Sequence, residues 1–469
     1  MRKSWVTRAS GQVILWLLLC PGLIFGVLLS EVRIDAAKSA EGAYGLNSWP
    51  ETKPYLMMPE NDQGSFPQLL SQTGAFQDTR QLVPSPSLIP YELNAPFWSD
   101  GALKWRWMAL PNEKGTGQKT IGFAPTGEWS FPNGTVFVKH FEMGMDDTRP
   151  EKKRRLETRL LVRDSTGGVY GATYKWRADN SDAELLKESL SEPLIIKTAS
   201  GTRTQTWYYP NPADCRTCHT TNAGGVLGVK TRQLNCDFSY PGTGVKDNQL
   251  RAWNHAGLFA PKFEEREIAA FARLVRPDDR SASLEQRARS YLDANCSQCH
   301  RPGGVVSYFD ARYDTPLAKQ NLIDAPVVID QGIDGARAIA PNDVWRSVVL
   351  LRATTLDAIK MPPLAHEVID EKGAQLLREW VASLPGPPVL PPPDISPKGG
   401  EFKGPIKVTL RHSEPDAIIR YTVDGTVPGK SAAIYEGPIE VKEPMTIRAK
   451  VFKPGFTKSV TVQETFVVE

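Results

Sequence analysis

The chain has 469 residues, 41% of them hydrophobic and 23% charged, and a formal net charge of +3. That length accommodates two to four domains, and the balance is ordinary for soluble globular protein. A charge so near neutral excludes the dense basic field of a nucleic-acid binder, so no nucleic-acid partner is expected.

The N-terminus predicts a targeting segment. Arg2, Lys3 and Arg8 precede an uncharged apolar run over residues 13–29. The run is longer than most signal h-regions and slightly short for a bilayer span. A signal peptide over 1–30 and an uncleaved membrane anchor therefore both fit. Cys20 would suit a lipoprotein, but Leu19 stands where a small residue belongs. Every alternative sends the remainder to the periplasm or the extracellular surface. Residues 31–84 carry Gly, Ser and Pro with few apolar clusters and predict an irregular arm.

Residues 85–210 predict a β-rich, sandwich-like N-terminal domain. The runs ALKWRWMAL, TVFVKHFEM, TRLLVRD, VYGATYKWR and LIIKTAS are rich in β-branched and aromatic residues, with turn signals at Pro132-Asn133-Gly134 and Ser165-Thr166-Gly167-Gly168. Trp98, Trp105, Trp107, Trp129 and Trp176 fit an aromatic core better than a sugar-stacking face. No acid pair, Ser-His-Asp set or phosphate loop is legible there.

Residues 211–275 open on Cys215-Arg216-Thr217-Cys218-His219, and the same pattern returns as Cys296-Ser297-Gln298-Cys299-His300. A C-x-x-C-H run reads as covalent haem attachment: two thiols form thioethers and the adjacent histidine becomes the proximal iron ligand. With 6 Cys and 6 His in the chain, one chance C-x-x-C-H is expected in roughly a thousand such chains. A zinc ribbon would set its knuckles ~15–20 residues apart, and a redox dithiol needs no histidine after the second cysteine. Two covalent haem c groups are therefore expected, with Cys215, Cys218, Cys296 and Cys299 as attachment residues. His219 and His300 would be metal ligands. Gly224, Gly225 and Gly228 would let backbone approach the first macrocycle. Asn248 to Leu274 reads as helical, and Cys236 as a small buried thiol.

Residues 281–384 read as a second unit. Ser283 and Gln286 make a capping box, and Leu284, Ala288, Tyr291 and Leu292 share one helical face. A closing helix starts at Asp370, carries Leu377, Trp380, Val381 and Leu384 on one face, and stops at Pro385. Between them lies Met361-Pro362-Pro363, whose thioether can occupy the axial position opposite His300.

Helix, CSQCH, MPP loop and closing helix together resemble a class I cytochrome c domain. The resemblance implies an all-α domain over 281–384, His300 proximal, Met361 distal, a helix over 342–355, and Arg352 near a propionate. The wider span 85–384 resembles a family of exported dihaem proteins that carry a PYELNAPFWSDGALKWRWMALP-like segment, a GTVFVKHF-like strand and a first C-x-x-C-H followed by LGVKTRQLN.

The first haem's sixth ligand is argued by elimination. No methionine lies between His219 and Met361, and Met361 is already used. His255, on the helical stretch downstream, is the preferred ligand. His140, Met143, Met145 and an open site remain alternatives.

Residues 385–393 form a stiff proline linker. Residues 394–469 alternate in period two between turns at Asp424-Gly425 and Pro454-Gly455. GGEFKGPIKVTL, IRYTVDGTVP, YEGPIEV and TIRAKVFKPGFTKS resemble the chitobiase C-terminal-like module, which implies a small immunoglobulin-like β-sandwich. The whole reads as an exported dihaem c-type cytochrome transferring single electrons with a redox partner protein. The alternatives are a peroxidase- or oxidase-like enzyme with an open first haem, and a surface adhesion protein whose terminal module contacts polysaccharide.

Overall fold

The computed structural model describes residues 43–113 and 119–469. The targeting segment, with its signal and anchor alternatives, lies outside the described residues. Among the described residues no helix is long and apolar enough to cross a membrane.

Period-two alternation builds the central element, a six-stranded antiparallel sheet in sequential order. Its strands are β1 (Ile89–Pro90), β2 (Leu103–Ala109), β3 (Val136–Gly144), β4 (Lys153–Arg163), β5 (Val169–Trp176) and β6 (Ala183–Leu186). Successive side chains leave a strand on opposite faces. Trp107, Val136, Val138, Leu160, Val162, Tyr170 and Tyr174 therefore fill one core, and Met108, Phe137 and Leu161 belong to another. The first face is closed by Leu56, Met58, Leu70, Ala75 and Phe76. From residue 44 the expected irregular arm is thus a packed cover, with Leu70 and Ala75 fully buried. The other face is closed by residues 210–274. A hairpin of β7 (Leu190–Thr198) and β8 (Gly201–Tyr209) packs Leu194, Ile196 and Trp207 against Phe141 and Met143.

Two expectations of fold are corrected. The N-terminal domain is one sheet faced by coil and short helices rather than a sandwich of two comparable sheets. Residues 281–384 are not an all-α domain. They hold three helices, α4 (Leu284–Asn295), α5 (Val348–Ala353) and α6 (Glu371–Ser383), joined by turns and loops, in a chain that is mostly β. Pro302, Pro316, Pro326 and Pro341, with Gly332 and Gly335 at positive φ, break the intervening chain too often for further helices. The helix expected over 342–355 begins only at Val348, because the Asp343 carboxylate takes the Trp345 and Arg346 N–H groups into a turn. The helix expected from Asn248 to Leu274 is limited to α3 (Gln249–His255) and a 3₁₀ turn at Glu265–Ala270, interrupted by Gly257 and Pro261. Upstream lie α1 (Pro212–Cys218) and α2 (Thr231–Leu234).

In 281–384, α4 and α6 pack around Ala288, Leu292, Leu377, Trp380 and Val381. The crossing needs Gly373, since a Cβ there would collide with the Tyr291 ring. The terminal module is a sandwich of a three-stranded sheet (Asp394–Ser396, Ile406–Arg411, Ile439–Val441) and a five-stranded one (Gly400–Phe402, Ile418–Thr422, Ala433–Ile434, Met445–Phe452, Val462–Val468). Val408, Val441, Ile447, Val451 and Phe466 are fully buried between them. The proline linker packs too. Leu390 is fully buried in the sandwich core, and its N–H donates to the Thr457 carbonyl at 3.0 Å.

Candidate haem centres

The first motif is carried by α1. The Asn211 side chain accepts from the Ala213 and Asp214 N–H groups at 2.8 and 3.0 Å, and the Asp214 carboxylate accepts from Asn211 N, so the helix starts there. α1 lies on the sheet at β5. A Cβ at Gly171 would stand 2.5 Å from Cys215 Sγ, so only glycine lets the thiol this close. His219 ends the helix. Its ring Nδ1 lies 2.8 Å from the Gly225 carbonyl, which can only accept, so Nδ1 carries the proton and Nε2 is left free. Burial pushes its pKa down to about 4 and keeps the ring neutral, as metal ligation requires. The cavity in front holds Cys215, Cys218 and His219 among Leu93, Phe137, Leu161 and Val226.

The second motif ends α4. Ser283 Oγ accepts from Gln286 N at 3.2 Å and fixes the helix start, and Cys296 caps its end. His300 stacks on Phe309 at 4.4 Å between ring centroids. Burial, then the Arg352 charge, lower its pKa to about 4. Its Nδ1 is buried without a hydrogen-bond partner. Met361 lines the same cavity as His300, with Leu292, Ala338, Val348 and Leu377. The Met361 N–H donates to the Arg352 carbonyl at 2.8 Å, and Arg352 Nε donates to the Ile359 carbonyl at 2.7 Å, which closes the loop onto α5.

Haem c, the group these motifs imply, fits the residues present. The first cavity is lined by Cys215, Cys218 and His219, and the second by Cys296 and His300, each with apolar residues beside them. The first has a backbone carbonyl orienting the ring and a glycine that admits the thiol, and the second has a thioether on its wall.

The motifs meet in space. Arg301, next to His300, donates from Nη1 to the carbonyl of Asn222, three residues past His219, at 3.3 Å, and the interaction of the Cys218 and Cys299 thiols raises the Cys218 pKa and lowers that of Cys299 to about 7. The end of α4 is a shared wall: Asp293, Ser297, Gln298 and Arg301 line the first cavity, and Leu292, Asn295, Cys296 and His300 the second. Buried ion pairs hold it. Lys230 Nζ is 3.0 Å from Asp293 Oδ1, and Arg232 Nε donates to Asp293 Oδ2 at 3.0 Å. Burial raises the pKa of Asp293, but Lys230 and Arg232 outweigh it and leave it at about 2. On the other side, the Asp100 carboxylate accepts from the Glu367 and Val368 N–H groups at 2.7 and 2.9 Å, and Trp98 Nε1 donates to the Val368 carbonyl at 2.9 Å. Sequence reading noted both segments, LGVKTRQLN and PFWSD, without finding this clamping role.

Other expected ligands lie elsewhere. His255 is corrected: it is exposed, stacks on Tyr44 with ring centroids 3.4 Å apart, and does not line the first cavity. The helix buries Gln249, Leu250, Ala252, Trp253 and Asn254 and leaves His255 outside. His140 is fully buried against Thr158, 2.8 Å away, on the sheet face opposite Lys139 and the cavity. Met143 packs with Leu156 and Trp207, and Met145 beside them. Cys236 is half-buried, 3.1 Å from Gln249 Nε2. Trp107, Trp129 and Trp176 are core residues.

Among family models, the chitobiase/beta-hexosaminidase C-terminal domain matches residues 397–464. The terminal sandwich is therefore similar to that domain, and both C-x-x-C-H segments lie outside the match. No curated protein matches the chain, nor does any solved structure.

Proposed function

We propose that the protein is an exported dihaem c-type cytochrome that passes single electrons through two covalently held haems to or from a redox partner protein. The observation that carries this reading is that the two C-x-x-C-H motifs lie side by side, Arg301 after the second donating to the Asn222 carbonyl after the first, with their histidines facing separate cavities across one wall. Haem c supplies a one-electron iron couple whose potential depends on axial ligands, burial and hydrogen bonding. In this chain Gly225 orients His219, and Met361 stands on the cavity wall shared with His300. Leu93, Phe137, Leu161 and Val226 line the first site and Leu292, Ala338, Val348 and Leu377 the second, and the Lys230–Arg232–Asp293 cluster holds the wall between them. The test is the spectrum of the purified protein after denaturation: two c-type haems per chain are expected, and stoichiometric zinc without haem would refute the reading.

One observation favours a second reading for the first centre. The described residues lining its cavity include no histidine besides His219 and no methionine. An open, enzyme-like first haem would bind carbon monoxide in the reduced protein, whereas a closed one would leave the spectrum unchanged.

A further inference from the structure

The floor of the first cavity carries a row of cations. Arg106 on β2 stands directly opposite Lys139 on β3, and Lys139 directly opposite Arg159 on β4. All three line the cavity. Like charges directly opposite one another destabilise a sheet, and neighbouring strands lie only ~4.8 Å apart. A row of three therefore needs compensation. Arg159 has it, from the fully buried Glu157 at 2.5 Å. The other two have no carboxylate: Lys139 Nζ lies over the Phe141 ring at 4.8 Å, and burial, then Arg106, Lys104 and Arg159, hold its pKa well below the usual lysine range. Arg106 is 7% exposed and its Nη2 is buried without a hydrogen-bond partner. Among the described residues, neither Arg106 nor Lys139 has a carboxylate in ion-pair contact. The carboxylates that line the cavity are engaged by other groups. Asp293 takes Lys230 and Arg232, Glu128 takes Arg301 at 2.9 Å, and Asp214 accepts from Tyr208 Oη at 2.7 Å and from Asn211 N.

We propose that Arg106, Lys139 and Arg159 form a subsite for a pair of carboxylates in the first cavity. Arg106, without a carboxylate, and Lys139, whose proton an anion beside it would hold, call for two negative charges. Guanidinium forks on either side of an ammonium suit planar carboxylates, each within reach of one fork and the shared Lys139. The apolar residues beside the row, Phe137 and Leu161, suit the hydrocarbon part of such a ligand. Two sources have this chemistry: the two propionates of a haem held by Cys215 and Cys218, which rests on the dihaem reading, and a free dicarboxylate, which does not.

The test uses the full-length exported protein, with R106Q/K139Q and K139Q as variants and succinate as the free probe. Haem content, the midpoint potential of each haem and succinate binding by calorimetry are measured together. If propionates fill the row, the wild type ignores succinate. The double variant then keeps both haems but shows a lower potential at the first haem alone, because cations beside the iron favour its reduced state. If the ligand comes from solution, the wild type binds one succinate per chain, and the double variant weakens binding at least tenfold. K139Q gives a smaller change in the same direction should the double variant fail to fold. A haem-bearing wild type that ignores succinate, with potentials unchanged in the variants, overturns the proposal. A wild type without haem refutes the dihaem reading, and succinate binding alone then decides the subsite for or against.

Discussion

Asp293 shows how one side chain ties the two centres together. Replacing it with asparagine removes the closest carboxylate the two cations share and leaves Glu128, 3.6 Å from Lys230 and 3.8 Å from Arg232, and Asp314 on Arg232, a loss of about 3 kcal/mol, the low end for broken buried pairs. Its depressed pKa sets the pH window. Stability from ionised Asp293 is present above about pH 4 and is lost as pH falls through about 2. Chemical denaturation of Asp293→Asn at neutral pH should show that loss, and an unchanged midpoint would mean the cluster is dispensable. Asp100 behaves oppositely. Burial, against the help of two N–H donors, raises its pKa to about 6. Its contribution is fully present below about pH 4 and lost as pH rises through 6. Denaturation midpoints of wild type relative to Asp100→Asn should therefore rise between pH 7 and pH 5, and parallel curves would contradict the assignment. A third residue tests the seat of the first motif. Gly171→Ala puts a methyl group against Cys215 Sγ and should cost about 1–3 kcal/mol as an overpacked site. It should also lower haem incorporation at the first motif alone. At this scale the attachment residues were legible because they are adjacent in sequence. The distal side was not: His140 and Lys139 are neighbours in the chain, and only strand register puts Lys139 on the cavity face.

Among elements, α4 and α6 were visible in the sequence because each announces its start, Ser283 with Gln286 and Asp370 with Gly373 N–H. α5 was overextended because its apolar run hides the Asp343 turn, which is a side-chain matter that periodicity does not register. The cover over residues 44–84 was missed for a related reason. Leu56, Met58, Leu70 and Phe76 are buried one at a time from irregular backbone, so they leave no period in the sequence. The all-α expectation failed by trusting three helical signals to stand for the whole segment, although the chain between them is held by turns. Two substitutions test the elements that frame the second cavity. Gly373→Ala forces α6 away from Tyr291 and should destabilise by about 1–3 kcal/mol in thermal or chemical melts. Met361→Ala should abolish any sulfur-to-iron charge-transfer band while leaving haem content intact. A band that survives the substitution would exclude Met361 as ligand.

At the scale of the whole molecule, the terminal sandwich is more than an appendage. Arg346 Nη2 donates to the Lys458 and Ser459 carbonyls at 3.1 Å each, and its Nη1 pairs with Asp343 at 2.7 Å. Lys450, almost fully buried, reaches Asp334. The module was recognisable from its alternating strands and turn pairs, but its docking was not, because the contacts come from single residues in distant segments. A chain ending at Pro388 should bind both haems yet melt at a lower temperature than the full chain, since Arg346 loses the Lys458 and Ser459 carbonyls and Asp334 loses Lys450. An unchanged melting temperature would mean that the docking contributes nothing.

The central claim is that Cys215, Cys218, Cys296 and Cys299 hold two haems at motifs that lie side by side. Intact mass of the denatured, non-reduced full-length protein tests it most directly. The expected result is a chain carrying the mass of two haems, with none of these four cysteines open to alkylation. A haem-free mass with Cys218 joined to Cys299 as a disulfide would contradict it, and would make the two motifs a disulfide-forming pair instead.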